Sequence, residues 1–90
     1  MLNKVSYSQL RDRLQLLYGK IVSTLSAADF EEISVSDEML KDLEDMRLFV
    51  KEFLNNLNDV TNKFVNVSDS DEATISKFEH IVEDLGKGLW

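Results

Sequence analysis

Residues 39–64, MLKDLEDMRLFVKEFLNNLNDVTNKF, decide the fold predicted for this chain. Their apolar residues recur at alternating steps of four and three, which is the heptad spacing of a helix that packs one narrow stripe against other helices. The stripe consists of Met39, Leu43, Met46, Val50, Phe53, Leu57, Val60 and Phe64. We therefore expect a long, coiled-coil-like second helix at about residues 37–64.

The start of this helix is well marked, and its far end is not. Ser36 is a preferred N-cap residue, and Asp37 and Glu38 place negative charge at the positive end of the helix dipole. Between residues 55 and 62 there are four asparagines, which are poor helix formers. All four lie off the apolar stripe, so the pattern favours one continuous helix.

A helix is predicted on each side of this segment. The first begins after the capping residue Ser6 and covers about residues 7–25, and the third covers about residues 71–85, followed by a tail at 86–90. A second capping signal at residues 26–29 indicates a short helical turn at 27–33 that would place Phe30 and Ile33 on the core. The apolar seams of the first and third helices are Tyr7, Leu10, Leu14, Leu17 and Ile21, and Ile75, Phe78, Val82 and Leu85.

These elements predict an all-α fold, an antiparallel three-helix bundle to which the 27–33 turn can add a short fourth helical piece. Ninety residues make one helical-bundle domain, 1–90, because a chain this short cannot support two independent cores. The second helix is longer than its partners. Part of its stripe therefore needs cover from the 27–33 turn or from a second copy, and we expect self-association through this helix.

Acidic residues are concentrated in one part of the chain. The net charge is −7, but residues 29–45, called the acidic segment below, hold eight acids and one base, whereas residues 1–28 hold four bases and one acid. Direct nucleic-acid binding is disfavoured, because phosphate affinity comes from cationic patches. The bases Lys4, Arg11, Arg13 and Lys20 are interpreted as partners for the acidic segment, within the bundle or in a head-to-tail assembly.

The acidity has two interpretations that the sequence leaves open. Carboxylates near helix starts are stabilised by the helix dipole, which is a purely structural role. They can instead form an acidic surface that attracts a basic partner. The candidate acidic surface consists of Glu31, Glu32, Asp37, Glu38, Asp42, Glu44 and Asp45.

The sequence supplies little material for catalysis or for a cofactor. His80 is the only histidine, and with Asp84 four residues on it gives one imidazole and one carboxylate, too few ligands for a zinc site. There is no cysteine, and the three glycines do not form a phosphate loop. We expect no enzymatic activity, no cofactor and no metal site, and a catalytic or metal-binding bundle centred on His80 is the weakest alternative.

Some apolar and amide residues lie off the seams and are candidates for contact with another protein. Trp90 is the first of them, because tryptophan is enriched among interface hot spots. The candidate protein-binding residues are Leu48, Asn55, Asn58, Asn62, Leu89 and Trp90.

These features predict a small, acidic, non-enzymatic helical protein that acts through protein–protein interaction as an adaptor, a regulator or inhibitor, or an assembly subunit. The alternative is an acidic mimic of nucleic acid that inhibits a DNA- or RNA-handling protein. No apolar run approaches the roughly 20 residues that cross a bilayer, and the polar start is unlike a signal peptide. We therefore expect no membrane contact and, by default, a cytoplasmic location.

Overall fold

The structure is a computed structural model that describes residues 2–57 and 63–87. Three helices and two short strands follow one another along the chain. They are β1 (Leu2–Ser6), α1 (Tyr7–Asp29), α2 (Asp37–Leu57), β2 (Phe64–Ser68) and α3 (Asp69–Leu85). The two strands pair antiparallel in a two-stranded sheet, from which α1 and α3 both begin.

The prediction of an all-α three-helix bundle is wrong, because β1 and β2 form a small sheet beside the helices. The helix predicted at 37–64 ends at Leu57, and Phe64 is already the first residue of β2. The heptad register of the sequence therefore does not extend a helix as far as Phe64. Val60, which carried that register, lies outside the described residues.

The sheet has an inner and an outer face. Val5 lies opposite Val65, and Val67 is fully buried on the same inner face. On the outer face the Lys4 ammonium lies 4.9 Å from the ring centroid of Phe64, whose side chain is 52% exposed. The sequence FVNVS thus places side chains alternately inward and outward, as a strand does.

A Val-Ser pair precedes each of the three helices, at residues 5–6, 35–36 and 67–68, and its serine caps the helix. The hydroxyls of Ser6, Ser36 and Ser68 each accept a hydrogen bond from the backbone N–H three residues on, at 3.5, 3.1 and 3.0 Å. The predicted starts of the first two helices are therefore confirmed, and the third helix begins at Asp69, two residues before the predicted position. Each cap satisfies one of the backbone donors that a helix start leaves without a partner.

The core lies along α1, which packs against both other helices, whereas α2 and α3 stay further from each other. The predicted seam of the first helix is confirmed from Leu10 to Ile21, and the helix continues beyond residue 25 to Asp29. The predicted turn at 27–33 is wrong as a core element, because Phe30 follows the end of α1 and is 74% exposed. The buried apolar core comprises Leu10, Leu14, Leu17, Ile21, Leu43, Met46, Val50, Leu57, Val67, Ile75 and Val82.

Phe64 distinguishes the observed strand from the predicted helix. We expect Phe64→Ser to lower the free energy of unfolding by less than about 1 kcal/mol, the scale of an exposed cation–π contact. A phenylalanine in the seam of a long second helix would instead cost about 3 to 5 kcal/mol on truncation. Urea unfolding followed by circular dichroism measures the difference, and a loss in the larger range would contradict the strand.

Candidate protein-binding groove

Three phenylalanines connect α2 with α3. The ring of Phe49 in α2 meets the ring of Phe78 in α3 edge to face, with centroids 5.5 Å apart and an interplanar angle of 88°. One turn along α2, the ring of Phe53 lies 5.9 Å from that of Phe49. All three side chains are only half-buried, because the helices do not close over them.

These rings line an open groove, called the α2–α3 groove below. It consists of two hollows of about 380 and 320 Å³ that share Phe49. Its floor is defined as the apolar residues Met46, Phe49, Phe53, Phe78 and Ile81. Its rim is defined as the charged residues Asp42, Asp45, Glu52, Asp71 and Lys77.

The α2 side of the groove follows from helical spacing. Asp42, Asp45, Phe49, Glu52 and Asn56 are three or four residues apart, so their side chains lie along one side of the helix. This side adjoins the buried stripe of α2 and does not coincide with it. The groove is therefore apolar where it touches the core and acidic where it meets water.

The rim carries an excess of negative charge, with four acids and one base. Within the described residues, none of the five rim side chains forms an ion pair with another side chain. All except Asp71 are exposed. The charge of the rim is thus available to a partner.

The bases of α1 help to explain this charge layout. The Arg13 guanidinium reaches α3, with Nη1 2.7 Å from a Glu72 carboxylate oxygen and Nη2 2.6 Å from one of Glu79. The hydrogen bond to Glu79 raises the pKa of Arg13 above its ordinary value, against the opposing effect of burial. Lys20 pairs with Glu83, also in α3, at 2.5 Å. Of the four bases interpreted as partners of the acidic segment, Arg13 therefore pairs with α3 instead, whereas pairing in a head-to-tail assembly stays a prediction.

The candidate acidic surface is exposed at all seven of its positions. Only Glu44 among them forms an ion pair within the described residues, with Arg47 at 2.9 Å. Asp42 and Asp45 belong to the rim of the α2–α3 groove, whereas Glu31 and Glu32 follow the end of α1 and lie outside it. The other three, Asp37, Glu38 and Glu44, lie in α2 and do not line the groove, so the structure divides this surface among three places.

No protein-family model, curated protein or solved structure matches this chain. Its function is therefore inferred from the geometry and the charge of its own residues.

Of the predicted protein-binding residues, the two that the structure describes do not line the groove. Leu48, which is 50% exposed, and Asn55 lie seven residues apart on another side of α2, and it is the neighbouring Asn56 that lines the groove. The remaining four candidates, Asn58, Asn62, Leu89 and Trp90, lie outside the described residues. Phe49 was missed because it is off the heptad seam, although the aromatic pair at 49 and 53 was a readable signal.

Across residues 2–57 and 63–87, no group of three or more histidine, cysteine, aspartate or glutamate side chains could hold a metal ion. His80 is exposed on α3. Within the same ranges, no helix is both long and apolar enough to cross a membrane.

The Lys20–Glu83 pair gives a testable pH effect. A hydrogen bond from Lys20, together with its positive charge, lowers the pKa of Glu83 below its ordinary value of 4.5. Because the folded-state pKa is lowered, the stabilisation is present above the unfolded pKa and is lost as the pH falls through the folded one. NMR titration of the Glu83 carboxyl carbon is expected to show the low pKa, and Lys20→Met is expected to raise it. An unchanged pKa in that variant would contradict the pairing.

Proposed function

We propose that this protein is non-enzymatic and works by binding another protein, as an adaptor, a regulator or inhibitor, or an assembly subunit. The observation that carries the proposal is the α2–α3 groove, in which half-exposed phenylalanines lie beside acidic side chains that form no ion pair within the described residues. Aromatic side chains that become fully buried on association supply much of the binding energy at protein interfaces. Charged residues around such an apolar centre help to select the partner and increase the rate of association.

Self-association was predicted from a second helix too long for its neighbours. That reason no longer applies, because α2 ends at Leu57 and its buried residues belong to the core. Self-association stays a prediction, which light scattering tests by counting subunits. The proposed function needs only a partner protein.

Photo-cross-linking tests the proposal in a native lysate. Lys77 is exposed on the rim, and Gln15 is exposed on α1 away from the groove, so each can be replaced by benzoylphenylalanine with little effect on folding. We expect the substitution at Lys77 to give a discrete protein adduct, identified by mass spectrometry, and the control at Gln15 to give none. No adduct at Lys77, or the same adducts at both positions, would contradict the groove as the binding surface.

A second candidate function, nucleic-acid mimicry, is favoured by the exposure of the whole candidate acidic surface, of which only Glu44 forms an ion pair within the described residues. A mimic binds through its charges, so its partner should be released between about 50 and 500 mM salt. Its partner should also be displaced by competing nucleic acid. A partner that stays bound at the higher salt concentration and resists the competitor supports docking in the groove instead.

A further inference from the structure

We propose that the α2–α3 groove binds an amphipathic helix of a partner protein, with basic residues on the side facing α2. This inference rests on the proposed function and names the kind of partner. It combines the dimensions of the groove, the two rows of its floor and the unequal charge of its two sides.

The floor has the form that receives a helix. Phe49 and Phe53 of α2 form one row and Phe78 and Ile81 of α3 form the other, with the edge-to-face contact of Phe49 and Phe78 between them. From Asp42 to Asn56 the groove follows about 21 Å of α2 at 1.5 Å per residue. That length matches about four turns of a bound helix, which presents apolar residues at positions i, i+3, i+4 and i+7.

The charges of the two sides differ, and this difference selects the partner. The α2 side presents Asp42, Asp45 and Glu52 without a base, whereas the α3 side has Lys77 as well as Asp71. A bound helix is therefore stabilised by lysine or arginine residues along its α2-facing side. One acidic residue opposite Lys77 would fix its direction.

The same charges disfavour other occupants. Nucleic acid would bring phosphates towards the rim acids, and phosphate binding requires bases. A second copy of this chain in a two-fold symmetric contact would bring the same rim carboxylates together, which costs free energy. A basic helix is attracted by the same rim carboxylates that repel nucleic acid and a second copy.

The probe is a fluorescein-labelled synthetic peptide of about 16 residues with leucines at helical spacing and lysines on one flank. Two control peptides are needed. A scrambled peptide of the same composition has no apolar face, and a second peptide has glutamate in place of lysine. We expect the full protein to bind the first peptide in fluorescence anisotropy and to bind each control at least about tenfold more weakly, a difference of about 1.4 kcal/mol.

Two charge-matched variants locate the binding. Asp42→Lys with Asp45→Lys reverses two rim charges, and Glu31→Lys with Glu32→Lys makes the same change outside the groove, at exposed positions in both cases. We expect the rim variant to weaken peptide binding about tenfold or more and the control variant to weaken it less than about threefold. Circular dichroism checks that both variants fold.

Several results would overturn the inference. They are equal affinity for the scrambled peptide, equal loss in the two variants, and a peptide that does not bind. If a chain that ends at Lys87 binds the peptide about tenfold more tightly, the chain's own terminus is the occupant of the groove. If the rim variant abolishes dimerisation, the occupant is a second copy. If Lys77 cross-links to a partner but the basic peptide does not bind, the inference fails and the proposed function stands.

Discussion

Leu14→Ala is expected to lower the free energy of unfolding by about 3 to 5 kcal/mol. Leu14 is fully buried in α1, the helix that packs against both α2 and α3. Truncation removes apolar contacts and leaves a cavity, and the three surrounding helices can relax only partially to fill it. For a chain of 90 residues, whose total stability is about 5 to 13 kcal/mol, this is a large fraction.

The matched control is Leu16→Ala, which makes the same change two residues further along the same helix. Leu16 is 63% exposed, so the expected loss is below about 1 kcal/mol. Urea unfolding of both variants, with the slope of the free energy against denaturant held in common, gives the comparison. Similar losses in the two variants would show that α1 does not present the buried face described above.

Val67→Asp is expected to lower the free energy of unfolding by about 3 to 5 kcal/mol, and this variant tests the sheet. Val67 is 1% exposed on the inner face of β2 and lies opposite Asn3 of β1. A carboxylate at this position either remains charged without water or takes up a proton at a cost in free energy.

Asn66→Asp is its control. It also adds one negative charge, but residue 66 is exposed and its side chain points to the opposite face. We expect a loss below about 1 kcal/mol in thermal or urea unfolding. If the two variants were equally stable, the alternation of inner and outer residues along β2 would be contradicted.

Local signals predicted two helix starts and the buried seam of the first helix, although the predicted fold class is wrong. The hydroxyls of Ser6 and Ser36 cap the helices predicted to follow them, and the seam from Leu10 to Ile21 is buried. Caps and seams depend on residues within one or two turns of each other. For that reason, a single sequence contains enough information to locate them.

The sheet depends on contacts that the sequence does not show locally. β1 and β2 have five residues each. At one end of the sheet Leu2 pairs with Ser68, so the paired residues are far apart in the chain. An isolated two-stranded sheet is marginal in water, and packing against the core supports this one. The heptad register of residues 39–64 was the stronger local signal, and it predicted a helix for Phe64.

The groove could be predicted only in part. Asp42 and Asp45 were recognised as acidic surface and Phe53 and Phe78 as seam residues, but no sequence pattern joins α2 to α3. Whether two seam aromatics become fully buried depends on the distance between their helices. That distance is set by how α1 packs against each of them, which is a tertiary property.

The central claim is that α2 and α3 meet through an aromatic contact that forms the floor of an open groove. A nuclear Overhauser spectrum of the wild-type protein tests this contact most directly. We expect a cross-peak between the ring protons of Phe49 and Phe78, whose centroids are 5.5 Å apart, together with extended-backbone carbon shifts at Phe64–Ser68. The absence of that cross-peak, combined with helical shifts at Phe64–Ser68, would contradict both the contact between α2 and α3 and the strand β2.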